Sequence, residues 1–266
     1  MTLFDPEETT AAPSGPLSRV RLLVAYDGSG FHGFAEQHGV STVAGTLREA
    51  IEKVVRQPVE LTCAGRTDAG VHAWGQVVSL DVPAGTDLEA LHRSLLKLCG
   101  PAIAVRGVSP AAPDFSARFS ARSRTYRYTV LNSPVPNPFL ARTAWHVTAP
   151  LDLELLTLAS DPFIGEQDFS AFCRRPKVAE GEEPVSLVRR VTKAHWSDLG
   201  DDTLRLEISA TAFCHQMVRS IVGTMVAAGQ GQVRAGDIRA ILRSQDRKNA
   251  APIAPPEGLC LWHVGY

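Results

Sequence analysis

Apolar and polar positions recur along this chain in two periods, and each period marks a type of element. Val20 to Tyr26 is an apolar run of strand length, and Asp27-Gly28-Ser29-Gly30 after it is a turn signal. Past Ser41, Val43, Leu47, Ile51, Val54 and Val55 recur at helical spacing until Pro58 stops them. Val59 to Ala64 and Trp74 to Leu80 alternate apolar with polar residues and predict two strands. Thr86-Asp87-Leu88-Glu89 has the form of a capping box, in which the threonine oxygen takes an orphan N–H and the glutamate reaches back. The predicted helix carries a stripe of Leu88, Leu91, Leu95 and Leu98 and ends at Gly100-Pro101, and Ala102 to Val108 is another strand. The order strand, helix, strand, strand, helix, strand is the split βαβ, ferredoxin-like pattern.

The second half repeats it loosely. Ala117 to Leu131 is a long strand, Asn132 to Pro138 a proline-rich loop, and Asp152 to Ala159 a helix. Leu187 to Trp196 and Thr203 to Thr211 are strands joined by the turn Asp198-Leu199-Gly200-Asp201. Phe213 to Ala228 is a helix and Leu259 to Val264 a closing strand. The acidic loop Val178 to Pro184 and an extra helix around Ile238 to Leu242 are insertions. The expected fold is α+β: two ferredoxin-like halves, residues 19–112 and 113–266, joined near Pro110 to Asp114. Together they form a large antiparallel-rich mixed sheet with helices on one face and a central active-site cleft. Residues 1–18, polar and rich in Pro, Thr and Glu, read as a disordered tail. The open face of such a sheet resembles the platforms that bind single-stranded RNA. Resemblance of fold alone does not establish function.

Composition narrows the class. The chain has 266 residues, 44% hydrophobic and 21% charged, which is ordinary for a soluble globular protein. No apolar run approaches the roughly 18 residues of a membrane span, and the start lacks the cationic and apolar regions of a signal peptide. The five cysteines are scattered, without a CxxC pair or zinc-type spacing with histidine, and predict free thiols in a reducing cytosol and no metal site. Net charge is −1, but its distribution is uneven. Phe115 to Leu151 contains Arg118, Arg122, Arg124, Arg127 and Arg142 and no acid. Arg174, Arg175 and Lys177 form a second cluster, and Arg189, Arg190 and Lys193 a third. Acids gather at Glu180, Glu182 and Glu183, and at Asp198, Asp201 and Asp202. Such segregation fits a basic groove on a neutral protein, or several separate solvated faces.

Candidate chemistry centres on Gly65-Arg66-Thr67-Asp68-Ala69-Gly70-Val71-His72-Ala73, a loop between two predicted strands. Its glycines permit backbone geometries that other residues resist. Asp68 has Arg66 two residues before it and His72 four residues after. A carboxylate on a tight loop is a candidate nucleophile or base; the plainer alternative is a turn aspartate bonding its own backbone. In Arg122 to Tyr128, strand alternation puts Arg122, Arg124, Tyr126 and Tyr128 on one face and Arg127 on the other. Arginines and tyrosines on one face suit phosphates and a stacked base, or an edge strand whose tyrosines cap the core. In Phe213 to Val226, Arg219 is the lone charge beside an apolar stripe of Val218, Ile221, Val222, Met225 and Val226. A buried guanidinium requires a partner, for which Asp68 is a candidate; otherwise Arg219 snorkels to the surface. Gly258 ahead of the closing strand would let Leu259 approach a ligand.

Five of these segments, in order, resemble the tRNA pseudouridine synthase A family. They are Ala25-Tyr26-Asp27-Gly28, the Gly65 to Ala73 loop, Arg124-Thr125-Tyr126-Arg127-Tyr128, Met217-Val218-Arg219-Ser220-Ile221-Val222-Gly223 and Glu257-Gly258-Leu259. The resemblance covers the chain from about Arg19 to Tyr266. It implies isomerisation of uridine to pseudouridine in the anticodon stem-loop of tRNA, at positions 38, 39 and 40. It also implies a cytoplasmic homodimer, with tRNA as partner and no cofactor, metal or membrane. The family's catalytic aspartate falls on Asp68, its base-stacking tyrosine on Tyr126, its arginine partner on Arg219, its leucine under the base on Leu259, and its nucleotide-extracting arginine on Arg66. The chain departs at Gly33-Phe34-Ala35, where the family usually has Gly-Trp-Gln, and at Cys214, where leucine is common. Two rival readings are weaker. A noncatalytic RNA-binding module leaves Asp68 unexplained, because a carboxylate repels phosphate. A phosphate-ester hydrolase would place a second carboxylate close to Asp68 in sequence, and none stands there.

Overall fold

The computed structural model describes residues 15–175 and 185–266. The first half runs β1 (Leu17–Tyr26), α1 (Val43–Val55), β2 (Thr62–Cys63), β3 (His72–Pro83), α2 (Leu88–Cys99) and β4 (Ile103–Pro110). The second runs β5 (Ser123–Asn132), β6 (Trp145–Val147), α3 (Leu153–Ser160), β7 (Gly165–Asp168), β8 (Val188–Asp198), β9 (Thr203–Ala210), α4 (Met217–Gly229), α5 (Ile238–Ser244) and β10 (Leu259–Gly265). The strands form one sheet in the order β4-β1-β3-β10-β5-β9-β8-β7, with β2 on β3 and β6 on β5. The segment β4-β1-β3 with β2 is the split βαβ arrangement, and β10-β5-β9-β8 repeats it. Pairing is antiparallel except where β6 lies along β5 and where β10 joins β3. That joint pairs Cys260 with His72 and Leu261 with Ala73, directly after the Asp68 loop.

Alternation explains which face the sheet buries. In β9, Leu204, Leu206, Ile208 and Ala210 point inward while Thr203, Arg205, Glu207 and Ser209 leave the opposite side. The inward face of β1 carries Val20, Leu22 and Val24, packed in one cluster with Leu47 and Ile51 of α1, Leu91 and Leu95 of α2, and Ile221 and Met225 of α4. The reverse face carries two tryptophans, Trp74 and Trp262, stacked with centroids 5.9 Å apart. Arg106 covers the first and Arg127 the second.

Several expected boundaries move, each for a local reason. Helix α2 is capped by Asp87, whose carboxylate accepts Ala90 N–H at 3.0 Å; the Thr86 hydroxyl instead donates to Pro83 O. Its buried stripe is Leu91, Leu95 and Cys99, one residue in each fourth position, which turns Leu98 outward. Helix α4 starts at Met217 rather than Phe213, because Gln216 adopts a left-handed conformation with φ 65°. Strand β5 starts at Ser123, and Leu17 and Ser18, expected in the tail, already belong to β1. Cys173 and Cys214 are joined as a disulfide with Cα atoms 5.8 Å apart, so the expectation of free thiols holds only for Cys63, Cys99 and Cys260. Residues 1–14 of the expected tail, Lys177 of the second basic cluster and the acidic loop Val178 to Pro184 lie outside the described residues. Among the described residues no helix is long and apolar enough to cross a membrane.

Candidate active site

The loop from Gly65 to Val71 is anchored from several directions. The Gln76 amide donates to Gly65 O at 2.7 Å, and the Tyr26 and Thr67 hydroxyls share a 2.7 Å hydrogen bond. Phe34 N–H donates to Thr67 O, and Val71 N–H donates back to Asp68 O at 3.1 Å, closing the turn. Gly70 has φ 78°, the left-handed conformation that glycine adopts at no steric cost. Gly65 has no such conformation, and an added Cβ there would stand 3.7 Å from the Tyr126 hydroxyl, an ordinary contact, so this end of the loop lies beside Tyr126. At Gly28 an added Cβ would meet Val71 O at 2.0 Å, so the turn after β1 lies directly against the end of the loop. His72 does not face the carboxylate. Its Nδ1 accepts Gly28 N–H at 3.0 Å and lies 3.2 Å from Asp27 Oδ1. The role of His72 is to tie these two loops together.

Asp68 has two cationic or ionisable neighbours, one at each oxygen. Arg219 Nη1 donates to Oδ2 at 3.1 Å, and His215 Nε2 lies 3.3 Å from Oδ1. The Arg219 side chain is 13% exposed and that of Asp68 25%, so this pair is only partly wetted. The pairing decides the question left open by the sequence, because a guanidinium on an otherwise buried helix meets a carboxylate rather than solvent. Arg219 also donates from Nε to Ala254 O at 2.8 Å, and Ala254 N–H returns a bond to Arg219 O. The segment before β10 is thereby fixed to α4. His215 is not among the residues that the sequence singles out. It lies before α4, beyond the left-handed Gln216, so no helical spacing links it to Arg219 and no sequence period marks it.

Tyr126 lies on β5 with its ring almost fully buried and meets Phe213 edge-on at 5.1 Å. Burial pushes its hydroxyl well above the ordinary tyrosine range; Arg124 opposes the shift and the Asp68 charge adds to it. The hydroxyl therefore stays protonated at neutral pH. Its neighbours on the strand separate into different roles. Arg124, on a face that suited either phosphate or a structural role, is spent on the carbonyls of Ala64, Arg118, Ala121 and Thr211. Tyr128 is a core residue whose hydroxyl donates to Pro255 O. Arg127 occupies the opposite face as expected, paired with Glu207 at 2.9 Å. Leu259 is buried opposite Tyr128, two residues along the same face from Leu261, which pairs with Tyr126. Arg66 is exposed at the loop and makes no ion pair among the described residues.

The three basic clusters also differ. Arg118, Arg122, Arg142, Arg174 and Arg175 are exposed. In the third cluster, Arg189 donates to Ser186 O and Val188 O, Arg190 pairs with Glu166, and Lys193 pairs with Glu207. Among the described residues no group of three or more His, Cys, Asp or Glu is placed to hold a metal ion.

A carboxylate gripped by an arginine, on a loop that runs beside a buried tyrosine in a sheet made of two split βαβ repeats, describes a site centred on one acid. The family model of tRNA pseudouridine synthase matches residues 22–120 and 159–266. A tRNA pseudouridine synthase A of Dechloromonas aromatica is 42% identical over 242 residues, covering 91% of this chain and 90% of that one. The protein of that name from Frankia casuarinae is 39% identical, covering 94% and 90%. The one from Corynebacterium glutamicum is 40% identical, covering 93% and 89%. The chain belongs to the tRNA pseudouridine synthase family, isomerases that convert uridine to pseudouridine.

Proposed function

We propose that this protein isomerises uridine at positions 38, 39 and 40 of the tRNA anticodon stem-loop, with Asp68 as nucleophile on a flipped-out nucleotide. The observation that carries the reading is the Asp68 carboxylate held at 3.1 Å by Arg219, in a loop whose first glycine lies beside the Tyr126 hydroxyl. Uracil must leave C1′ through its N1, turn, and rejoin C1′ through C5, which then gives up its proton to restore the ring double bond. Asp68 serves this by attacking C1′ to form a sugar ester, or by taking the 2′ proton to form a glycal. Tyr126 offers the freed uracil a flat surface, and its protonated hydroxyl is a donor to the departing ring. Leu259 packs under the base. Arg66, exposed on the same loop and without an ion pair among the described residues, helps extract the nucleotide, which must leave its stack at a cost of a few kcal/mol. The exposed arginines contact phosphates and offset that cost. The reading includes action as a homodimer in the cytoplasm, and residues 19–112 and 113–266 as the two halves that meet at the cleft.

The test is incubation with unmodified tRNA followed by mapping of pseudouridine. Asp68→Asn is expected to bind tRNA and form no product. Undiminished turnover in that variant would remove Asp68 from the mechanism.

A further inference from the structure

Arg219 grips one oxygen of Asp68, and one donor does not fix a carboxylate: the group still turns about its Cβ–Cγ bond. A nucleophile or base held to within a fraction of an ångström needs support at both oxygens. The second oxygen, Oδ1, has His215 Nε2 at 3.3 Å. We propose that His215 is a positioning residue for the isomerase, donating from Nε2–H to Oδ1 and setting the plane of the Asp68 carboxylate together with Arg219. The proposal rests on the reading of Asp68 as the reacting group.

The backbone around His215 is built to hold it there. Its carbonyl accepts Arg174 N–H at 2.9 Å. The next residue, Gln216, takes the left-handed conformation, which L-residues adopt only at an energetic cost. Arg247 Nη2 donates to the Gln216 side chain at 2.7 Å and helps hold it in that conformation. Immediately before His215, Cys214 is joined to Cys173, and Phe213 is seated edge-on against Tyr126. Four successive residues are thus tied to three other parts of the chain, β5, the Cys173-Arg174 segment and Arg247, and the break they make before α4 is what presents both His215 and Arg219 to Asp68. The imidazole itself is half exposed, at 49%, so it is not a core side chain and borders the approach to the carboxylate.

Three substitutions separate this role from its rivals. His215→Ala removes the donor and the ring. His215→Asn keeps polarity, but its amide is too short to replace Nε2. His215→Gln places an amide N–H near the position of Nε2. With unmodified tRNA as substrate, Ala and Asn are expected to lower kcat about tenfold with KM unchanged, and Gln to restore kcat to within about threefold of the parent. Thermal unfolding identifies any variant that fails to fold; if Ala does, the Asn and Gln pair decides. A parental kcat in both Ala and Asn overturns the proposal. So does a raised KM at unchanged kcat, which would make His215 an RNA contact, and so does equal impairment of Asn and Gln. Asp68→Asn is run alongside. If it turns over, the reading of the site fails. If it is inactive while the His215 variants are parental, only the present proposal fails.

Discussion

Substituting Arg219 by methionine removes the charge and the hydrogen bonds while filling most of the space. Two partners lose their donor. Ala254 O belongs to a fully buried residue, and an unsatisfied buried carbonyl costs about 1–3 kcal/mol. Asp68 is a quarter exposed and keeps His215 within reach, so water recovers part of its loss. Its share is about 1 kcal/mol, well below the 3–5 kcal/mol of a fully buried broken pair. The expected cost of Arg219→Met is therefore about 3 kcal/mol, or a fall in Tm of about 6 °C at roughly 2 °C per kcal/mol for a domain of this size. Chemical denaturation of Arg219→Met, Asp68→Ala and the double variant forms a thermodynamic cycle. The coupling energy is expected near 1 kcal/mol, the part of the loss that needs Asp68 present. The larger part persists in the double variant, because Ala254 O is still orphaned. Two results would refute the reasoning. Additivity within about 0.3 kcal/mol would mean that the 3.1 Å contact contributes nothing to stability. Full recovery in the double variant would mean that Ala254 O contributes nothing.

Alkaline unfolding should depend on the buried tyrosines. Burial raises the hydroxyls of Tyr126 and Tyr128 above the ordinary value, so between about pH 10 and their folded values the unfolded chain loses protons that the folded one keeps. Stability is then complete below about pH 10 and falls as pH rises, by about 1.4 kcal/mol per pH unit for each such group. Tyr126→Phe should reduce that slope by close to one proton in denaturation measured from about pH 11 to 12, and an unchanged slope would contradict the assignment. Gly28→Ala should destabilise by about 2 kcal/mol or more, because its Cβ meets a backbone oxygen of Val71 that cannot move without moving the Asp68 loop. The same variant should lower kcat while tRNA binding by filter retention is unchanged; a parental Tm and kcat together would show that the two loops are not coupled.

How far the sequence reached depends on the kind of information each residue carries. Arg219 was legible because a charge inside an apolar helix has few solutions, and pairing is one of them. The split βαβ order was legible because each strand and helix announces its own period. Arg124 was not, since alternation says which face a side chain leaves and nothing about the four carbonyls it meets there. The start of α4 was misplaced for a related reason. Phe213-Cys214-His215-Gln216 continues the apolar pattern without a Ser, Thr, Asp or Asn to mark a cap, and the real break is a backbone conformation at Gln216. At α2 two cap-forming residues stand side by side, and only the geometry selects Asp87 over Thr86. The Cys173–Cys214 pairing spans 41 residues with no spacing pattern to announce it.

The site itself follows from one long-range pairing that no local period encodes. Strand β10 lies between β3 and β5, parallel to the first and antiparallel to the second. It meets β3 at His72 and Ala73, where the Asp68 loop ends, and β5 at Tyr126, through the single residue Leu261. Two strand spacings, about 10 Å, therefore separate the base of the loop from the tyrosine strand. The loop covers that distance, since Gly65 ends beside the Tyr126 hydroxyl. Ala254, on the segment between α5 and β10, is bonded in both directions to Arg219 of α4 and so fixes the approach to β10. One insertion of β10 thus brings the acid, the tyrosine and the arginine together from three parts of the chain. Each half on its own supplies a sheet and the helices packed on it; their parallel joint is what brings these residues to one place.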